Sequence, residues 1–271
     1  MRLRHLAILA PVLAAFAAPA LAADPVPLAA HRALYRLSMD SSRGSITGAR
    51  GTMAYEITDV CDAWATRQRL SLTVTNTDGQ DIEMVSDYAT LESKDGLSMS
   101  FRMRQTTETA VTEQVEGTAK LEGVGGPGTI NYAGAEPKTM EIPPGTLFPM
   151  SHTAAILAAA DSGKRFLAVP LFDGTGDKGT QDSSIAIAAW NRTGDQSAAY
   201  PALHGMAHGR VRIAFFDREK STVKDKVPGS PDYEVGMKYY ANGVADDLQM
   251  DFTDFVMLGK LAEFTMPTPN C

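Results

Sequence analysis

Apolar side chains recur at every second position along much of this chain, and this alternation limits the possible folds more than any other feature. The rows in the first half are Ala33, Tyr35, Leu37 and Met39, then Met53, Tyr55 and Ile57, then Leu70, Leu72 and Val74, and then Leu97, Met99, Phe101 and Met103. Later rows are Val211, Ile213 and Phe215, and Tyr233, Val235, Met237 and Tyr239. Because neighbouring side chains of a strand point to opposite faces, residues two apart share a face. The sequence therefore predicts a mainly β protein whose consecutive strands form a meander.

Short polar turns separate these rows. Asp78 and Gly79 end one long strand, and residues 92–96 form a polar corner between two others. The strongest hairpin signal is Asn242-Gly243, which stands between two alternating rows. This dipeptide favours a type I′ turn, in which both central residues have positive φ. We therefore predict a tight two-residue hairpin at this position.

One segment has the composition of a helix. Residues 149–162 are rich in alanine, with Pro149 or Ser151 near the start and Gly163 as a stop. The small side chains suit close packing inside a curved sheet better than exposure to water. We predict a single helix here, and we find no fixed-period repeat and no linker composition that would divide the strands into separate domains.

The first residues have the three parts of an export signal. Arg2 and Arg4 provide a basic start, residues 6–18 an apolar stretch, and residues 20–22 a small-x-small cleavage site. The apolar stretch is shorter than the ~20 residues that a spanning helix needs, and no apolar stretch of that length occurs later in the sequence. We predict a signal peptide at residues 1–22, one β domain at residues 23–271, and a periplasmic location without a transmembrane segment after cleavage. An uncleaved signal anchor is the alternative.

The charge balance excludes one class of partner. The chain has 25 Lys and Arg against 32 Asp and Glu, a formal charge of −7, and two of its arginines leave with the signal peptide. Nucleic-acid binding depends largely on clustered positive side chains. We therefore expect no nucleic-acid partner. The hydrophobic content of 44% is sufficient for a folded core.

Two cysteines, Cys61 and Cys271, are present. Disulfides form and persist in exported proteins, so we predict that these two are bonded to each other. The bond would tie the last residue to the first third of the chain. The alternatives are two free thiols or a bond between molecules.

No set of residues has the spacing of a well-formed metal site. His204 and His208 are spaced like helical metal ligands, but a glycine follows each of them, which favours a loop leading into a strand. Asp173 begins a stretch similar to a calcium loop. In that stretch Lys178 occupies the glycine position and Ser184 the position of the bidentate glutamate. We therefore predict no metal site.

Catalytic patterns fail in a similar way. His152 stands beside Ser151, but neighbouring residues of a helix point in different directions, so capping and packing explain both more simply. Residues 96–100 come close to the nucleophile motif of hydrolases but end in serine and follow a strand pattern. We predict no catalytic residue and no cofactor. An envelope hydrolase is reconsidered if His31 or His152 lies against a serine or aspartate in a cleft.

A set of short motifs is more specific than any of these patterns. They lie at residues 30–35, 55–56, 61–64, 92–96, 145–149 with His152, 171–174, and from Asp232-Tyr233 to Cys271. Together, over essentially the whole mature chain, they resemble the envelope integrity protein B family of alphaproteobacteria, long classed as a domain of unknown function. Ala63 departs from the pattern, where a glycine is expected, and this bears only on the geometry of that turn.

The resemblance implies a fold and a role. The fold is an open antiparallel β-spiral, or incomplete barrel, wrapped around a central helix, with a disulfide between the positions of Cys61 and Cys271. The role is non-enzymatic support of cell-envelope integrity under stress. The candidate functional residues are those within the motifs, namely His31, Trp64, Glu92, Lys94, Asp95, His152 and Asp173.

We therefore expect a periplasmic binding or scaffold module whose concave or edge surface meets an envelope protein or a lipid. One alternative is a lipid or lipoprotein carrier with an apolar groove, because the 13 methionines provide adaptable apolar surface. The second alternative is the envelope hydrolase.

Overall fold

The computed structural model describes residues 26–134, 136–218, 230–252 and 254–268. In this part of the chain, antiparallel strands form one 14-stranded sheet. The first eight strands are β1 (His31–Ser42), β2 (Ile46–Asp59), β3 (Ala63–Asn76), β4 (Asp81–Ser93), β5 (Ser98–Thr107), β6 (Ala110–Leu121), β7 (Gly128–Ala133) and β8 (Lys138–Ile142). The remaining six, after the helix α1 (Pro149–Asp161), are β9 (Phe166–Leu171), β10 (Gln181–Asn191), β11 (His208–Asp217), β12 (Tyr233–Tyr240), β13 (Ala245–Asp251) and β14 (Phe255–Thr265).

The sheet begins in its middle. Its order is β8-β7-β6-β5-β4-β3-β2-β1-β14-β13-β12-β11-β10-β9, so β1 pairs with both β2 and β14. Every other ladder joins strands that follow each other along the chain, which confirms the predicted meander. The edge strands β8 and β9 are consecutive in sequence, and α1 is the segment that connects them. The mainly β fold with one open sheet is confirmed.

The sheet curves around the helix. Glu92 of β4 and Ser183 of β10 both form hydrogen bonds with residues of α1. These two strands are eight positions apart in the sheet, which corresponds to roughly 38 Å if the sheet were flat. A helix about 10 Å wide can meet both strands only if the sheet wraps around it. The helix is therefore central, as predicted.

The alternation of side chains sets the two faces of the sheet. In β1, His31, Ala33, Tyr35 and Leu37 are buried, whereas Arg32 and Arg36 between them are exposed. We call the face toward α1 the inner face and the opposite one the outer face. The inner face packs against α1 through a core that includes Ile156, Leu157, Ala159 and Ala160 of the helix, all buried.

The ends of α1 agree with the predicted ones. Pro149 is the first helical residue, and Gly163 follows the last turn with a φ of 80°. The amide of Gly163 donates to the Ala160 carbonyl (3.0 Å), and the amide of Lys164 donates to the Ala159 carbonyl (2.9 Å). These two bonds define the Schellman motif, in which glycine is favoured because it accepts the left-handed conformation. In the described ranges, no helix is both long and apolar enough to cross a membrane.

The predicted type I′ turn at Asn242-Gly243 is wrong. Gly243 has a φ of 86°, but Asn242 is not among the residues with positive φ. The amide of Gly243 donates to the Tyr240 carbonyl (2.9 Å), and the amide of Tyr240 donates to the Val244 carbonyl (2.9 Å). This is a three-residue loop closed by a glycine bulge. Tertiary contacts decide the geometry, because the Asn242 carbonyl accepts a bond from the amide of Ala29 (2.9 Å).

The predicted polar corner at residues 92–96 is also partly wrong. Glu92 belongs to β4 and is only 1% exposed. The turn itself is limited to Lys94, Asp95 and the residues that follow them. A carboxylate is therefore placed inside the molecule, where it needs partners.

Candidate functional site

The partners of Glu92 are at the start of α1. Its carboxylate accepts hydrogen bonds from the amides of Met150 (2.7 Å) and Ser151 (2.9 Å) and from Ser151 Oγ (2.6 Å). The first amides of a helix have no partner within the helix, and a negative charge is favourable beside them. Phe148, at the N-cap position, supplies no side-chain bond, so Glu92 of β4 takes over this task. Burial raises the pKa of Glu92 above its ordinary value.

Near Glu92, Cys61 and Lys94 share one acidic partner at the surface, Asp59. Lys94 Nζ lies 2.7 Å from Asp59 Oδ1 and 4.8 Å from the centre of the Trp64 ring. Asp59 Oδ1 also accepts the amide of Cys61 (2.9 Å). The hydrogen bond from Lys94 holds the pKa of Asp59 below its usual range. The positions of Trp64 and Lys94 thus support the turn that carries Cys61.

Asp95 has a local structural task. It accepts bonds from Ser93 Oγ (2.6 Å) and from the amide of Leu97 (2.9 Å), and these bonds lower the pKa of Asp95. The four motif residues Trp64, Glu92, Lys94 and Asp95 therefore lie together at one end of β3 and β4. Cys61, beside them, is not a free thiol. Cys271 lies outside the described residues, and the bond between the two stays a prediction.

His152 lies against a serine, as a hydrolase would require, but the two residues are not in a cleft. Its Nε2 lies 2.9 Å from Ser183 Oγ. The two residues are only 5% and 1% exposed, respectively. Ser183 Oγ donates to the Val169 carbonyl (2.7 Å), so the proton on this contact belongs to His152 Nε2, and the histidine does not act as a base toward the serine. Burial lowers the pKa of His152 to about 4. This contact joins α1 to β10.

We expect acid to weaken the fold through His152. Its folded-state pKa, about 4, is below the ~6.5 of an unfolded chain, so unfolding takes up a proton. Its contribution is complete above pH 6.5 and is lost as the pH falls through 4, at a cost of about 3 kcal/mol. Urea denaturation at pH 7 and 4.5 should show a smaller loss for His152→Gln than for the parent chain. Equal losses in both proteins would contradict the assignment. Glu92, whose pKa is raised, acts in the opposite direction in both proteins.

The other two candidate residues are structural groups, one buried and one half-buried. His31 is fully buried, its Nδ1 lies 2.8 Å from the Ala29 carbonyl, and burial lowers its pKa. Its ring lies 5.9 Å from the rings of Tyr55 and Phe264, and no serine or aspartate bonds to it in the described chain. Asp173 accepts bonds from Thr175 and Gln181, and burial raises its pKa. Asp173 thus organises the loop after β9.

His204 and His208, which have the spacing of helical metal ligands, each lie near a backbone carbonyl. His208 begins β11 after a short loop, as the glycines indicate, and Nδ1 of His208 lies 3.3 Å from the Met206 carbonyl. Nε2 of His204 lies 2.9 Å from the Ala198 carbonyl. Over the described ranges, no group of three or more His, Cys, Asp and Glu side chains is arranged to hold a metal ion.

An open groove of about 980 Å³ lies on the outer face. It crosses β14 and then β1 to β6, and each strand contributes two or three residues to it. Its lining combines small or apolar residues, including Leu34, Ala54 and Ala89, with longer charged side chains. A cavity of this size is within the range of small-molecule sites. Sequence reading did not identify this groove, because outward-facing residues of a strand carry no sign of which other strand they will join.

Five arginines line this groove. Arg32 pairs with Glu56 (2.6 Å), and Arg69 pairs with Asp87 (2.8 Å). Arg67, Arg102 and Arg104 also line the groove, are exposed, and form no ion pair with any described carboxylate. Four carboxylates also line the groove, Glu56, Asp87, Glu116 and Glu263, so its five arginines leave a small local excess of positive charge in a chain with a formal charge of −7.

Comparison with known proteins now adds to the geometry. A family model described as EipB-like matches residues 22–268. The chain belongs to the EipB-like family. It is 31% identical over 264 residues to the cell envelope integrity protein EipB of Brucella abortus (strain 2308), covering 92% of this chain and 88% of that protein. The predicted family resemblance is confirmed.

A solved structure confirms the fold of this EipB-like chain. It is the crystal structure of a beta-barrel-like protein with a domain of unknown function, also from Brucella abortus. The TM-score is 0.79 with 26% sequence identity, and the match covers 90% of this chain and all of the other. The name of the Brucella relative connects the family with the integrity of the cell envelope. The EipB-like family is thus named for an envelope role and not for an enzymatic reaction.

Proposed function

We propose that this EipB-like protein is a non-enzymatic binding module of the periplasm that supports envelope integrity through its outer groove. The observation that carries the proposal is the groove itself, which is open to solvent and lined by five arginines, three of which form no ion pair with a described carboxylate. Family membership supports the envelope role. The export signal predicted at residues 1–22 supports the periplasmic location, and those residues lie outside the described ones.

Binding explains the exposed residues better than catalysis does. The one histidine–serine contact described above is buried and already uses its proton within the protein. A general base must reach a substrate proton, and His152 is 5% exposed. The groove, by contrast, offers donors to a partner on its walls. We propose that the family-motif residues stabilise the fold and that the groove makes the contact.

The carrier alternative makes a different demand. A lipid carrier needs a continuous apolar groove, whereas the walls described here are charged. Mass spectrometry of natively purified protein distinguishes the two, because a carrier should retain lipid through purification. Repeated detection of the same lipid species would favour the carrier.

A filled groove should abolish function without unfolding the protein. Ala54 lines the groove and is exposed, and Ala54→Trp would occupy the groove with an indole ring. We expect cells that carry only this variant to be as sensitive to detergent stress as cells without the gene. Growth on detergent medium and thermal melting of the purified protein are the measurements.

The matched control is Val111→Trp. Val111 is 48% exposed on β6 and does not line the groove. This variant should protect cells as the parent does. If Ala54→Trp melts normally and also protects cells fully, the groove is not the functional surface. If the groove is the functional surface, crosslinking in the periplasm, followed by purification from both strains, should recover a partner that only the control retains.

A further inference from the structure

Four arginines of the outer groove surround one small residue. Arg67 and Arg69 lie on β3, and Arg102 and Arg104 lie on β5. The register places Ala89 of β4 between Arg67 and Arg102. We call these four residues the arginine quartet. It results from strand pairing alone, because its two halves are more than 30 residues apart in sequence.

The quartet has a compact and regular geometry. Its members occupy alternate positions on their strands, so all four side chains are on the outer face, and all are exposed. The two halves are two strand spacings apart, roughly 9.6 Å, and residues two apart on one strand are separated by roughly 6.8 Å. Ala89 has no side chain beyond Cβ, so the centre between Arg67 and Arg102 is open.

Charge within the quartet is not balanced. Asp87 lies between Arg69 and Arg104 in the register, and Arg69 Nη1 contacts both of its oxygens (2.8 and 2.9 Å). The other three guanidinium groups form no ion pair in the described chain, although Glu56 stands opposite Arg67 and Glu116 opposite Arg102 in the register. On the same face, Arg32 and Arg50 each pair with a carboxylate. Like charges at this distance repel each other, and an anion placed above Ala89 would relieve that repulsion.

We propose that the arginine quartet binds the phosphate group of an anionic lipid headgroup. The proposal rests on the function assigned above to the groove. A carboxylate has two oxygens and matches one guanidinium fork, whereas a phosphate offers more acceptors and more charge to groups that approach from opposite sides. The groove is far larger than a phosphate ion, which leaves room for the rest of a headgroup beside it.

Titration calorimetry with short-chain lipids tests the proposal. The probes are dihexanoyl-phosphatidylglycerol, dihexanoyl-phosphatidylcholine and inorganic phosphate, each below its aggregation limit and at low ionic strength, since salt screens exposed charges. Phosphatidylglycerol should bind most tightly. Phosphatidylcholine carries a cation that the quartet repels, and free phosphate fills only part of the groove, so both should bind more weakly.

Two matched double variants separate this site from general charge. Arg67→Gln with Arg102→Gln should weaken phosphatidylglycerol binding by about tenfold or more, because two charge-assisted contacts are lost. Arg36→Gln with Arg50→Gln removes the same charge from exposed positions of the outer face beside the groove and should leave binding unchanged. Asp87→Asn removes the carboxylate that pairs with Arg69 and should tighten binding severalfold.

The following results would overturn the phosphate assignment. If both double variants lost the same affinity for phosphatidylglycerol, binding would depend on general charge and not on the quartet, and the proposal would be overturned. So would binding of free phosphate alone, or tighter binding of the dicarboxylate glutarate than of phosphate. If Ala54→Trp sensitises cells but no lipid binds, the groove keeps its proposed function and the phosphate assignment falls.

Discussion

Replacing Cys61 with serine is expected to lower the free energy of unfolding by about 5 kcal/mol in oxidising buffer. The predicted bond to Cys271 closes a loop of roughly 210 residues, and the chain-entropy model relates the stabilisation to that length. Cys61 lies in the turn between β2 and β3 with a φ of 72°, and serine adopts this conformation no more easily than cysteine does. The loss therefore measures the bond and not the turn. Urea denaturation gives the value.

Two controls isolate the bond. Cys271→Ser should reproduce the effect of Cys61→Ser, because either change removes the same crosslink. Adding a reductant should bring the parent down to the stability of the variants and leave the variants unchanged. Indistinguishable melting of parent and variant in oxidising buffer, or two titratable thiols in the native parent, would show that no crosslink exists.

Glu92→Ala is expected to cost about 4 kcal/mol. The change leaves the amides of Met150 and Ser151 without acceptors in the interior, and each orphaned donor costs roughly 1–3 kcal/mol. It also removes the negative charge from the positive end of α1. Chemical denaturation at pH 7 measures the loss, and circular dichroism shows whether helical signal falls with it.

Three further variants test the cause. Glu92→Gln keeps one acceptor oxygen and should lose less than Glu92→Ala. Ser151→Ala removes one bond to Glu92 and should cost about 1 kcal/mol. Glu122→Ala removes an exposed carboxylate and should stay within about 0.5 kcal/mol of the parent. A Glu92→Ala protein as stable as the Glu122→Ala protein would show that the carboxylate does not support the helix.

The strands and the helix could be predicted because their signals are local. The alternation from Ala33 to Met39 is visible in one short stretch and depends on nothing distant. Gly163 after an alanine-rich run likewise signals the end of a helix without outside help. Where a distant contact decided the conformation, prediction failed. Asn242 is an example, because the amide of Ala29 bonds to its carbonyl and the loop takes a third residue.

The candidate site was less predictable for the same reason. Glu92 looked like part of a turn because its partners, Met150 and Ser151, are almost 60 residues away. One hint was present, since Phe148 stands where a capping side chain is expected and cannot supply one. The arginine quartet had no such hint. Arg67 and Arg102 become neighbours of Ala89 only through the register of three strands. The sequence of a single strand does not determine its register with the others.

The pairing of β1 with β14 also determines how late in folding the sheet can be completed. Strands β1 to β8 and strands β9 to β14 each assemble from local hairpins, but the ladder between the two halves needs Thr265 opposite Arg32. Contacts so distant in sequence form slowly. Until β14 is available, the half formed by β1 to β8 therefore keeps the edge of β1 unpaired, and chaperones that protect exposed strand edges would act during that interval.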